Sequence, residues 1–141
     1  MNRLALSIEA VAAFCVALVF HKAIPFKTVA RIMGWSAGPL RQSRPGQDQQ
    51  IADIARAVYS IRDYTKIREC CLAEAMTIKW MLSRRNIEAD IYFGMRIKGS
   101  ALAHPRSEVF DHVQAHAWVQ IGDTPLKDNG PFRYVVLGCY H

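Results

Sequence analysis

The sequence predicts an α+β protein in which helices come first and an antiparallel sheet comes last. Three observations point to this. Apolar residues recur at helical spacing through most of the first half of the chain. They then alternate one in two through "HVQAHAWVQI", residues 112–121. Between the first helical segments and the rest, residues 36–50 turn polar and hold Gly38, Pro39, Pro45 and Gly46. A chain of 141 residues fits one domain. Residues 1–50 read as a helical N-terminal lobe with its loop, and residues 51–141 as the core of the same domain.

The elements follow in order. Ala5 to Phe20 is strongly apolar, and Leu4, Ile8, Val11, Cys15, Leu18 and Val19 recur at helical spacing. This predicts a helix packed on the protein itself or on a partner. Ser7 and Glu9 interrupt it, and the unbroken run from Ala10 to Phe20 is shorter than the about 20 residues needed to cross a bilayer. "HKAIPFK" follows, without the small residues of a signal-peptide cleavage site. A helix of this kind can also lie on a membrane. Pro25 breaks or restarts the helix, and "FKTVARIMGW" forms a second short one ending near Gly34.

"DQQIADIARAVYSIRDYT" resumes helical periodicity, with Asp48 as N-cap. "CCLAEAMTIKWMLSRRN" is the next helix. Arg84 and Arg85 suit the negative end of its dipole, and Asn86 takes the left-handed cap position. "EADIYFGMRI" is a strand, "SALAHPRSEVFD" a loop, and "HVQAHAWVQI" a second strand. Val113, Ala115, Ala117, Val119 and Ile121 share one face of it; His112, Gln114, His116, Trp118 and Gln120 share the other. "GDT" is the turn, "PLKD" a short return arm and "FRYVVLGCY" a last strand.

Composition narrows the function. The net charge is +6, but the 18 Lys and Arg are scattered and never form a tract longer than a pair. No dedicated nucleic-acid arm is present, and the charge supports a modest preference for acidic partners. Cys15, Cys70, Cys71 and Cys139 include no C-x-x-C pair, so they read as four reduced thiols of a cytoplasmic protein. His112 and His116 stand four apart, but Val113 stands where a zinc-protease motif needs glutamate, and the segment is a strand. No metal or cofactor is expected. "GMRIKGS" lacks the phosphate-loop pattern, so the chain itself is not expected to bind ATP.

One constellation can carry chemistry. On the helix beginning near Cys70, a broad stripe of Cys71, Leu72, Ala75, Met76, Ile78 and Leu82 is expected to face the core. Cys70, Thr77, Met81 and Arg84 are expected on the opposite side. Cys71 lies in the first turn, where free backbone N–H groups and the positive dipole end favour a thiolate. Glu69 and Glu74 oppose that, so a histidine partner is required. His116 is available on the non-aliphatic face of its strand. Asp128 lies about as far after the Gly122-Asp123 turn as His116 lies before it, so a tight hairpin would set them opposite. Thiolate, base and orienting carboxylate are the parts of a cysteine-dependent acyl-transfer site. By spacing alone, Cys71 could equally be a packing residue and His116 a half-exposed side chain.

"CLAEAMTIKWMLSRRNIEADIYFGMRI", "AHAWVQI" and "PLKD" together resemble the transglutaminase-like cysteine protease core of the lasso-peptide leader peptidases, the B-proteins of those clusters. "RLALSIEAVAAF" and "IPFKTVARIMGW" resemble that family's helical lead-in. By this resemblance the fold is a helical lobe followed by a transglutaminase/papain-like core. Cys71, followed by Leu72, matches the nucleophile, His116 the base and Asp128 the orienting carboxylate. Asn86 replaces a usual glycine, Gln120 a usual glutamate, and the segment from Ile97 to His112 is longer than the family minimum.

The resemblance implies a peptidase that cuts the leader from a lasso precursor peptide. Fused members carry a leader-recognition module ahead of the core, and the first seventy or so residues here read as helices and loop instead. The split form is therefore expected, working with a separate leader-recognition protein and an ATP-dependent lasso cyclase. Two rivals remain: a non-catalytic peptide-binding or membrane-associated protein of the same fold, and a transglutaminase or amidase using the same triad.

Overall fold

The computed structural model describes residues 3–23, 46–65, 70–97, 113–126 and 134–140. Helices α1 (Arg3–Ala23), α2 (Asp48–Thr65) and α3 (Cys71–Ser83) precede strands β1 (Asp90–Ile97), β2 (Val113–Ile121), β3 (Thr124–Pro125) and β4 (Val135–Tyr140). The strands form one sheet in the order β3-β2-β1-β4, and each neighbouring pair is antiparallel. The α+β class is the one the sequence predicts. The short helix expected in "FKTVARIMGW" and the loop expected between Ile97 and His112 lie outside the described residues.

Helix α3 is the centre of the molecule, packing on α1 and α2 on one side and on β2 on the other. Its buried residues therefore run round the helix: Leu72, Ala73, Glu74, Ala75, Thr77, Ile78, Met81 and Leu82. This corrects the single stripe expected from periodicity, because Thr77 and Met81, expected on the outer side, are buried against the other helices. Among the described residues, Phe14, Ile54, Val58, Ile78, Met81, Leu82, Ile87 and Ile91 are fully buried. Each such side chain contributes roughly 1.5–3 kcal/mol on leaving water, against the entropy of ordering it.

The end of α3 has a physical cause. Asn86 adopts φ 54°, the left-handed conformation expected of it. Its N–H donates to the Ser83 carbonyl (3.0 Å), and the Ile87 N–H donates to the Leu82 carbonyl (3.1 Å). These two bonds satisfy terminal carbonyls and turn the chain into β1, with Leu82 and Ile87 both buried at the bend. The Gly122-Asp123 turn also forms as expected, pairing Ile121 with Thr124 and Gln120 with Pro125. Gly122 has φ 58°, which a side chain would disfavour.

Helix α1 is oriented differently from what its large aliphatic residues suggest. Leu6, Ala10, Ala13, Phe14 and Ala17 are buried, whereas Leu4, Ile8, Val11, Cys15 and Val19 are exposed. Alanines at positions 10, 13 and 17 let the helix approach its neighbours closely, so the small-residue face wins the core. Glu9 fixes the rotation: its Oε1 accepts from Arg85 Nη1 (3.1 Å) and its Oε2 from Arg85 Nη2 (2.6 Å). Arg84 approaches the same carboxylate at 3.3 Å. The two arginines expected to complement the α3 dipole thus tie α3 to α1.

Candidate active site

The first two turns of α3 and the middle of β2 face each other across a small cleft. Its walls include Cys71, Glu74, Ala75 and Ile78 from α3, Tyr59 from α2, and His116 to Val119 from β2. Cys71 and His116, singled out in the sequence, thus line one cleft, and both are half-buried. The described part of the return arm ends at Leu126, so Asp128 lies outside the described residues.

Cys70 is not where helical phase puts it. It is the residue before the helix, with φ −105° and ψ 16°, so the 100° step that governs α3 does not reach it. Instead of pointing away, Cys70 is buried, and its thiol donates to Glu74 Oε1 at 3.3 Å. Burial, the hydrogen bond to Glu74 and the charge of that carboxylate together push the Cys70 thiol up to about 12. A thiol held that way stays protonated and unreactive. Its neighbour Cys71 is the one that opens on the cleft.

Glu74 is itself buried and offsets its charge against Arg62, whose Nε stands 3.6 Å away. The Arg62 guanidinium also lies 5.9 Å from the centre of the Tyr59 ring. Burial, then the nearby Glu74 carboxylate, pushes the Tyr59 phenol up to about 12. Tyr59 therefore remains a protonated hydroxyl in the cleft wall at any physiological pH.

On β2, His116 belongs to an aromatic layer. Its ring stacks on Trp118 (centroids 6.0 Å apart, 18° between planes) and tilts against Tyr134 (5.1 Å, 31°). Tyr92 continues the layer, 5.9 Å from Trp118. Register explains the layer: Gly94 pairs with His116 and Tyr92 with Trp118. A Cβ on Gly94 would stand 3.0 Å from the Trp118 ring and from Tyr134 Cβ, so only glycine lets the rings lie down on the sheet. Gln120 completes the support, accepting from Trp118 Nε1 at 3.4 Å and donating to the Gly122 carbonyl at 3.1 Å. The Gln120 amide thus braces both the tryptophan and the turn.

Tyr59, Trp118, Tyr134 and Gly94 shape the cleft or its aromatic layer without a motif that marks them. His116 and Trp118 share one strand face, which was a usable signal. Tyr59 follows Val58 on a helix whose registry against α3 no local pattern gives, and Tyr134 is brought in only by long-range strand pairing. Among the described residues, no three His, Cys, Asp or Glu side chains converge as a metal-binding group.

No curated protein and no solved structure shows significant similarity to the chain. The sequence profile of the transglutaminase-like superfamily, by contrast, matches residues 14–137. That span runs from within α1 to within β4, and it takes in both Cys71 at the head of α3 and His116 on β2. A match over nearly the whole chain, on a helix-and-sheet frame of this order, settles the relationship: the protein belongs to the transglutaminase-like superfamily.

Proposed function

We propose that the protein is a cysteine peptidase that removes the leader from a lasso precursor peptide. Cys71 is the nucleophile, His116 the base and Asp128 the carboxylate that orients the imidazole. The observation that supports this most directly is the cleft shared by Cys71 and His116, with Cys70 buried and bonded away from it. Superfamily membership supports the chemical class, since cysteine-dependent acyl transfer is common there. The lasso assignment rests on the "CL…AHAWV…D" resemblance.

In this reading His116 takes the Cys71 proton. The Cys71 thiolate attacks the carbonyl at the leader–core junction and a C–S bond forms. The imidazolium returns the proton to the departing core amine as the C–N bond breaks. His116 then deprotonates a water, which attacks the thioester, releasing the leader carboxylate and restoring the thiol. The protonated Tyr59 hydroxyl in the cleft wall is suited to donate a hydrogen bond to substrate. The freed core amine becomes the substrate of a separate ATP-dependent cyclase, and a separate leader-recognition protein delivers the precursor. The setting is the cytoplasm.

Mass spectrometry of a precursor peptide incubated with the protein and its leader-binding partner tests the proposal. Release of free leader by wild type and Cys70→Ala, but not by Cys71→Ala, is the expected result. Intact precursor in every tube, with the leader bound, would leave a binding role. Loss of ammonia with formation of an isopeptide would indicate a transglutaminase.

A further inference from the structure

Helix α1 carries two apolar faces. Leu6, Ala10, Phe14 and Ala17 are in the core. The other face meets water: Leu4, Ile8, Val11, Cys15 and Val19 follow one another at i, i+4, i+7, i+11 and i+15, with Val16 and Phe20 beside them. Leu4, Ile8 and Val19 are 68%, 62% and 64% exposed. Scattered apolar side chains at a surface are ordinary, but a continuous line along a 21-residue helix is not.

The charges around this face indicate what covers it. Glu9 is the sole carboxylate of α1, and it stands at i, i+7 and i+11 with Val16 and Phe20, on the border of the face. Arg84 and Arg85 neutralise it there. Arg84 remains exposed and lies 4.9 Å from the centre of the Trp80 ring, which is itself 48% exposed. The apolar line is thus bordered by an indole and a guanidinium, carries no unpaired carboxylate among the described residues of α1, and belongs to a chain of net charge +6. Apolar side chains below and Trp and Arg at the rim match the layers of a lipid surface with anionic headgroups. An apolar protein partner would not call for the cationic rim.

We infer that α1 docks the protein on an anionic lipid bilayer, lying in the plane of the interface. Leu4, Ile8, Val11 and Val19 enter the acyl boundary, and Trp80 and Arg84 sit among the headgroups. Counted over Arg3–Phe20, with Ser7 and Glu9 included, α1 is long and apolar enough to cross a membrane, unlike its unbroken apolar run alone. It lies flat because crossing would pull Leu6, Ala10, Phe14 and Ala17 out of the core they share with α2 and α3. This docking does not depend on the chemistry proposed for Cys71.

The test is flotation of the full chain with two kinds of vesicle, pure phosphatidylcholine and phosphatidylcholine mixed with phosphatidylglycerol. The wild type is expected to float with the anionic vesicles, several-fold less with the neutral ones, and less as salt is raised toward about 1 M. The double variant Ile8→Glu, Val19→Glu should stay at the bottom while keeping the wild-type melting temperature, because both side chains are exposed. A wild type that floats with neither vesicle, or equally with both, would overturn the inference. So would a double variant that melts far below wild type, which would mean the chain itself covers this face. A lipid-indifferent dimer that the same variant dissociates would assign the face to a second copy instead.

Discussion

The thiol of Cys70 donates a hydrogen bond to Glu74, four residues on and one turn up the helix, at 3.3 Å. That contact separates two adjacent cysteines into different chemical states. One is buried and held protonated; the other opens on a cleft with a histidine.

Alkylation should read the difference directly. With iodoacetamide at pH 8, peptide mapping is expected to find Cys71 modified with exposed Cys15, and Cys70 unmodified until the protein unfolds. Labelling of Cys70 ahead of Cys71 in the folded protein would contradict the assignment. Stability carries the same signature. An unfolded chain ionises Cys70 near its ordinary 9.0, and the folded chain only at about 12. The contribution from this thiol is therefore intact below pH 9 and is lost as pH rises through that window. Tyr59, raised from 10.0 to about 12, adds to the same alkaline loss. Cys70→Ala should flatten part of the alkaline limb in urea titrations.

The proposed role of His116 as base to Cys71 can be read in the alkylation rate of that thiol. The alkylation rate of Cys71 at pH 7 should fall about ten-fold or more in His116→Ala, with wild type and variant converging as pH rises past the ordinary thiol range. An unchanged profile would show that the imidazole does not act on the thiol.

Glu9 and Arg85 give a prediction at the acid end. The Arg85 hydrogen bonds, opposed by burial and aided by the charges of both arginines, hold the Glu9 carboxyl below its ordinary 4.5. Its contribution is present above that value and is lost as pH falls through the depressed one. Glu9→Gln should cost about 1 kcal/mol at pH 7, within the usual range for hydrogen bonds to charged groups that remain partly solvated. The difference should shrink as pH falls below 4.5 in chemical denaturation.

Gly94 leaves no room for a side chain beneath the aromatic layer. Gly94→Ala should destabilise the fold by roughly 1–3 kcal/mol, the usual range for overpacking. It should also alter the near-ultraviolet circular dichroism of Trp118, because the new methyl group can be housed only by moving that ring or Tyr134. Unaltered spectra and melting would show that the aromatic layer has slack that the geometry denies it.

Much of this was legible in the residues. The Asn86 cap, the Gly122-Asp123 turn and the alternation of β2 rest on local geometry, and local geometry is what a short window of sequence encodes. Cys71 and His116, picked out by similar local patterns, line one cleft. What could not be read depended on neighbours. The buried side of α1 cannot be read from its large aliphatics, because Ala10, Ala13 and Ala17 win the core by allowing close approach. Cys70 escapes the helical pattern because it stands one residue before the helix. Thr77 and Met81 are buried because α3 has two partner layers, where a single stripe serves only one. Asp128 could be proposed from hairpin symmetry, but the described arm stops at Leu126.

The position of β4 bears on how the protein reaches this state. β1 bonds to β2 on one side and to β4, which follows β2 and β3 along the chain, on the other. A growing chain that has already produced Cys71 and His116 still lacks Tyr134, against which the imidazole rests. The sheet is completed only after the chain has returned to β1 from far along its length, a pairing of high contact order and hence slow. The imidazole thus exists before the aromatic frame it rests on, and that frame is completed late in synthesis, as the final strand zips onto the first.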